Sequence, residues 1–253
     1  MSISFPHKDD VPLEAPPLTE VICQVRFAPI LRIIGSLPIE YQELLRRRFP
    51  KLGEKENRPQ VELKGIGKLT PMPNEFVCDT ADGLSRVSLA VDFVALRTNK
   101  YLNWKAFSSD LEIVLRAFEK VYGPPLTTRI GLRYVNELRF ADTGTNSLDD
   151  LIDFLNPDLT QFYYNRTFNK PDKIANFILL REENDCLALR IGIESTPEGF
   201  VSLDYDYYTE SDAPAENKAD DLLNAVNRYR QIVYNAFCWS IKEEKMEVFR
   251  PAK

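Results

Sequence analysis

The chain has 253 residues, a net charge of −6, and 44% hydrophobic against 28% charged residues. That is long enough to bury a sizeable core, and the balance is that of a globular chain rather than a disordered one. No apolar run approaches the roughly 20 residues of a membrane-crossing helix, the N-terminal residues lack a signal peptide's apolar stretch, and acidic charge repels phosphate backbones, so the expectation is a cytosolic protein with no membrane partner and with nucleic acid an unfavoured one.

Residues 1–17 carry Pro6, Pro12, Pro16 and Pro17 and read as an extended, poorly ordered leader. Val21, Cys23, Val25 and Phe27 then alternate with Glu20, Gln24 and Arg26, the period of a half-buried strand. Ser36 as N-cap and Pro38 in the first turn predict a helix with Leu37, Tyr41, Leu44, Leu45 and Phe49 as its stripe, stopped by Pro50. Residues 51–59 read as a loop. Val61, Leu63 and Phe76 to Cys78 predict two short strands separated by the Pro71 and Pro73 loop. Asp82-Gly83 marks a hairpin turn. Val87, Leu89, Val91 and Phe93 alternate after it, and a further strand covers Val94 to Asn99. Asn103-Trp104 leads into a helix. Its capping box is Ser109 to Glu112, and its stripe is Leu111, Val114, Leu115, Phe118, Val121 and Tyr122. Gly123-Pro124-Pro125 ends it.

The order then starts again. Ile130, Leu132, Tyr134 and Leu138 share one strand face; Arg129, Arg133 and Glu137 share the other. A loop over 142–147 and a short helix over 148–155 follow, stopping before Asn156-Pro157. Strands are predicted over 159–168, 174–181, 186–194 and 200–208, then a linker over 211–216. A long helix over 219–244 has Leu222, Val226, Tyr229, Val233, Phe237 and Ile241 as its stripe. That stripe is either core packing or a homodimer seam.

Both passes read β-α-β-β-β-β-α, a leader followed by halves at 18–125 and 126–253 packed as one domain. Consecutive strands joined by hairpins favour an antiparallel sheet, with helices on one face in an α+β arrangement. In topology this duplicated unit resembles the TATA-binding-protein-like fold, whose halves form one curved sheet; the helix-grip arrangement is the alternative. The uncovered face takes Gln24, Arg26, Arg86, Ser88, Asp92, Arg97, Arg133, Glu137, Arg190, Glu194, Asp204 and Asp206. Five arginines against five carboxylates are charge-balanced, whereas a DNA saddle needs net positive charge and apolar wedges.

Some chemistries are excluded by residue type. The single histidine, His7, lies in the leader, which removes Ser-His-Asp, Cys-His and histidine-ligated metal sites. Cys23, Cys78, Cys186 and Cys238 form no C-x-x-C pair and read as single buried thiols. Neither a P-loop nor a G-x-G-x-x-G fingerprint occurs. No E-x-E-x-K pattern of a triphosphate-tunnel enzyme is present. Arg46-Arg47-Arg48 ends a helix, where cations complement the macrodipole, and Trp104 reads as helix-start packing. No cofactor is expected. The candidate ligand-binding residues are Arg26, Arg86, Arg97, Arg133 and Arg190. Glu137, Glu194, Asp204 and Asp206 are the alternative, a carboxylate set for Mg²⁺ in phosphoryl transfer.

Several stretches are similar to a sporadically distributed bacterial family of uncharacterised proteins of about this length. They are Ala15-Pro16-Pro17-Leu18-Thr19-Glu20-Val21 leading to Val25-Arg26-Phe27, Asn103-Trp104-Lys105-Ala106-Phe107, the run from Arg129 to Asn136, Leu203-Asp204-Tyr205-Asp206, and Asn235-Ala236-Phe237 with Ser240-Ile241. The family's last helix often has a histidine where this chain has Tyr229 or nearby residues, so no role for it carries over. The resemblance implies a bacterial or mobile-element origin and brings no catalytic residue. The leading expectation is a non-enzymatic binding protein. It would hold a protein or small polar ligand on the polar sheet face or in the groove between the halves. A metal-dependent enzyme and a nucleic-acid saddle are the alternatives.

Overall fold

The computed structural model describes residues 3–9, 13, 15–35, 37–54, 75–167 and 170–249. The predicted cap Ser36, the strand at Val61 and Leu63, the Pro71 and Pro73 loop and Phe168 lie outside them. The described residues form an α+β fold around a nine-stranded antiparallel sheet of order β2-β3-β4-β5-β1-β6-β9-β8-β7. In chain order the elements are β1 (Leu18–Phe27), α1 (Arg32–Gly35), α2 (Ile39–Leu45), β2 (Lys51–Glu54), β3 (Glu75–Asp79), β4 (Ser85–Ala90), β5 (Phe93–Thr98), α3 (Trp104–Tyr122), β6 (Leu126–Leu138), α4 (Phe140–Thr143), α5 (Leu148–Ile152), α6 (Pro157–Thr160), β7 (Lys173–Glu182), β8 (Asp185–Glu194), β9 (Phe200–Glu216) and α7 (Ala219–Ser240), with a 3-10 helix at Glu243–Phe249. No described helix is long and apolar enough to cross a membrane.

Two compact units divide the chain. The first holds Met1–Val21, Gly131–Glu210 and Val226–Lys253; the second holds Ile22–Ile130 and Ser211–Ala225. In the second unit Cys23, Val25 and Phe27 are buried as the alternation requires, and Phe27 meets Phe118 of α3 at 5.0 Å. Leu111, Val114, Leu115 and Phe118 form the buried stripe of α3. The helix starts earlier than the capping box suggested. Asn103 is the N-cap, its side chain accepting from the Ala106 N–H at 2.9 Å, so Ser109 lies inside the helix. Trp104 sits 5.9 Å from Phe107, ring to ring, as helix-start packing. Helix α2 begins after Pro38; it buries Tyr41 and Leu45 and leaves Leu37 and Leu44 exposed. The expected loop after Pro50 opens as β2, paired with β3 from Lys51↔Asp79 to Glu54↔Phe76. Val91 and Asp92 are the turn between β4 and β5 rather than strand.

In the first unit the described part of the strand predicted over 159–168, residues 159–167, is instead α6 and turns. Asn156 accepts from the Asp158 N–H at 3.0 Å and Pro157 occupies the first turn, so local capping outweighs the β preference of Phe162, Tyr163 and Tyr164. The second pass therefore has three strands after its helices, not four. β9 also runs on to Glu216 through the stretch read as a linker. In α7 the stripe residues Val226, Tyr229, Val233 and Phe237 are buried within the chain, with Tyr229 4.9 Å from Tyr207 of β9. Residues 3–9 of the leader are tied down rather than loose. The Lys8 N–H donates to Asn235 Oδ1 at 3.2 Å, Gln231 Nε2 donates to the Lys8 carbonyl, and Phe5 packs on Trp239.

Candidate functional site

The open face of β7, β8 and β9 is laid out in rows by strand register. Phe177 opposes Arg190, and Arg190 opposes Asp204. Asp204 is buried, and Arg133 of β6 reaches it through two hydrogen bonds, Nε to Oδ1 at 2.7 Å and Nη2 to Oδ2 at 2.8 Å. Arg190 Nη1 donates to the same Oδ2 at 3.2 Å, and its guanidinium lies 5.5 Å from the Phe177 ring centroid. A charge-assisted fork of this kind fixes both guanidinium planes. Its hydrogen bonds push the Arg133 pKa above its usual value, with the nearby Asp204, Asp206 and Glu20 charges adding to them.

Two positions along the strands, the row is Ala175, Gly192 and Ser202. Its floor is low. A Cβ on Gly192 would stand 2.5 Å from Ser202 Oγ, so any larger residue there would force the serine hydroxyl to turn away. Two positions further on come Lys173, Glu194 and Phe200, with Lys173 Nζ donating to Glu194 at 3.3 Å. The result is a trough across three strands. Arg190, Asp204 and Phe177 wall one side; Lys173, Glu194 and Phe200 wall the other.

The trough opens at the β8–β9 turn onto a shallow cleft of about 320 Å³ lined by Arg139, Glu194, Thr196, Pro197, Glu198 and Phe200. Arg139 lies 5.1 Å over the Phe200 ring and donates to Glu137 at 2.9 Å and Glu198 at 3.4 Å. Gly199 holds the turn at φ +62°, and a Cβ on it would meet the Phe140 ring at 2.1 Å. Sequence reasoning missed Arg139, Phe177, Glu198 and Phe200. The first follows the face of Glu137 by parity, so strand alternation carried a signal for it. Phe177 reads as core until β7 is known to be an edge strand.

The other candidate arginines sit in the second unit. Arg86 makes a bidentate pair with Asp79 at 2.7 and 2.8 Å. Arg97 opposes Arg86 in register and donates to Asn99 Oδ1 at 3.3 Å. Arg26 donates to Asp92 at 3.1 Å. Arg133 and Arg190 share Asp204 as a partner. The carboxylates proposed for Mg²⁺ are otherwise engaged: Glu137 with Arg139, Glu194 with Lys173 and Asp204 with two arginines. Among the described residues no three His, Cys, Asp or Glu side chains gather to hold a metal ion. Cys23, Cys78 and Cys186 are buried free thiols, and burial pushes Cys23 up to about 12 and Cys78 to about 11. His7 stays exposed beside Asp9.

Fold and site thus define an α+β protein built on a nine-stranded antiparallel sheet. Compared with known proteins, the chain matches no family model and no curated sequence.

Proposed function

We propose that this chain is a cytoplasmic, non-enzymatic binding protein that holds a polar segment of a partner protein in the trough on β7, β8 and β9. The observation that carries this reading is the Arg133–Asp204–Arg190–Phe177 row. It is a preorganised pair of guanidiniums fixed on one buried carboxylate, beside an exposed aromatic ring. Arginine and aromatic side chains are the residues most enriched at protein-interface hot spots. The row keeps one guanidinium charge in excess beside the paired Lys173 and Glu194, far short of the basic stripe that a polyanion needs. Resemblance to a sporadically distributed bacterial family supports an accessory role in a mobile element or in defence. The scaffold is read as an internal duplication of the TATA-binding-protein-like or helix-grip kind. Supporting this, β1 and β6 are neighbours in strand order, and each is followed by short helices, strands and a long helix.

The alternatives gain no specific observation. Arg26, Arg86, Arg133 and Arg190 each already meet a carboxylate, which weakens a nucleic-acid saddle. The test is turnover. With Mg²⁺ or Mn²⁺ present, nucleotides and phosphodiesters are expected to stay intact over a long incubation. Hydrolysis that disappears in Asp204→Ala overturns the reading.

A further inference from the structure

β7 ends the sheet order, so among the described residues no strand pairs with its outer edge. Natural edge strands are kept short, charged, bulged or proline-bearing, because their free N–H and C=O groups template further pairing. β7 has none of these devices along its centre. Its ladder with β8 runs through ten consecutive pairs from Lys173↔Glu194 to Glu182↔Asp185. Phe177 (60% exposed), Ile178, Leu179 and Leu180 form an unbroken exposed apolar run on both faces. The opposite end strand, β2, has four residues.

We propose that β7 pairs with β7 of a second copy of this chain, antiparallel about Ile178, joining two sheets edge to edge. A two-fold axis through the sheet brings residues of like parity face to face. Centred on Ile178, the axis sets Phe177 against Leu179 of the second copy, Ile178 against its own counterpart, and Asn176 against Leu180. Centred on Phe177, it would oppose Lys173 to Arg181, a like-charge pair that costs stability. Centred on Leu179, it would put Phe177 against Arg181 and forfeit its apolar partner. About Ile178 the strand thus sets apolar side chains against apolar ones and opposes no like charges. The open faces of the two copies then continue one another, and the two troughs lie on the same side of the joined sheet.

The experiment measures the solution mass of the full chain across a concentration series, with thermal melting in parallel. The wild type is expected at twice the chain mass. Leu179→Lys is expected to weaken dimerisation at least ten-fold, roughly the effect of losing one well-packed interface side chain. A second variant reads the register: Ile178→Cys is expected to form a disulfide-linked dimer under mild oxidation, while the wild type with its native thiols does not. A wild type that stays monomeric at all concentrations overturns the proposal. So does a dimer untouched by Leu179→Lys, or an Ile178→Cys dimer that fails to cross-link. None of these results bears on turnover, so the edge pairing and the binding reading fail separately.

Discussion

Two of the bidentate arginine–aspartate pairs, one from each compact unit, look alike in distance and differ in setting. Arg86 meets Asp79 and Arg133 meets Asp204 with the same pair of bond lengths, 2.7 and 2.8 Å. Asp79 keeps 19% of its side-chain surface and Asp204 keeps 10%. Asp204 also serves a second arginine. Distance is therefore a poor guide to importance; burial and sharing decide it. Breaking a buried pair leaves charge uncompensated, while an exposed pair is screened by water. Asp204→Ala is expected to cost about 3 kcal/mol and Asp79→Ala about 1 kcal/mol or less, read by urea denaturation. Equal losses would break the distinction. Arg133→Gln and Arg190→Gln should each cost less than Asp204→Ala, because each leaves the carboxylate one partner; their double-mutant cycle measures the sharing directly.

The turn glycines sharpen the same contrast. Gly83 in the second unit and Gly199 in the first both have positive φ, +75° and +62°. A Cβ at Gly83 meets nothing within 4 Å, whereas at Gly199 it meets the Phe140 ring. Gly83→Ala carries the backbone penalty alone, about 1 kcal/mol. Gly199→Ala adds displacement of the ring and is expected to cost about 2 kcal/mol. It should also loosen the cleft, because Phe140, Gly199 and Phe200 are held by one turn. Comparable melting shifts for the two variants would show that the ring yields freely.

Strand faces were readable from sequence because a half-buried strand writes its geometry as period two. Val21, Cys23, Val25 and Phe27 needed nothing more, and neither did the outward side of Arg133, Arg190 and Asp204. Pairing was not readable. Which aspartate opposes which arginine depends on register, and register joins residues as distant as Arg133 and Asp204. The strand predicted over 159–168 failed, over its described residues, for a different reason. Its aromatic run has β preference, but Asn156-Pro157 caps a helix there, and a capping bond is local where a strand needs a neighbour. The extension of β9 to Glu216 was hidden because Ser211, Asp212 and Pro214 carry no alternation. The trough escaped notice because its defining residues, Ala175, Gly192 and Ser202, are small.

The thiols give a third contrast. Burial raises the pKa of Cys23 and of Cys78 in the second unit, so both lack thiolate as well as access. Cys238 on α7, in the first unit, is partly exposed. Under native conditions at mildly alkaline pH, Cys238 should label first and Cys23 and Cys78 only as the chain unfolds, checked by mass spectrometry of alkylated peptides. Early labelling of Cys23 would mean that β1 opens locally.

The smallest expected effect lies at charge clusters of opposite build. In the second unit Arg116 sits between two carboxylates, Glu112 at 2.7 Å and Asp220 at 2.8 Å. In the first unit Asp153, just past α5, takes Lys242 and Lys245 from the segment after α7. Hydrogen bonds from those lysines hold the Asp153 carboxyl below its ordinary 3.8. A lowered folded value means that the clamp contributes fully above the unfolded value and is lost as pH falls through the folded one. The group is half exposed, so screening limits the effect to about 1 °C in Tm. Asp153→Asn should lower Tm by that amount at pH 7, and the difference should shrink as pH falls through the wild-type carboxyl's lowered folded value. A difference that does not shrink with acid would mean that Asp153 holds the C-terminal segment by shape and hydrogen bonding rather than by charge.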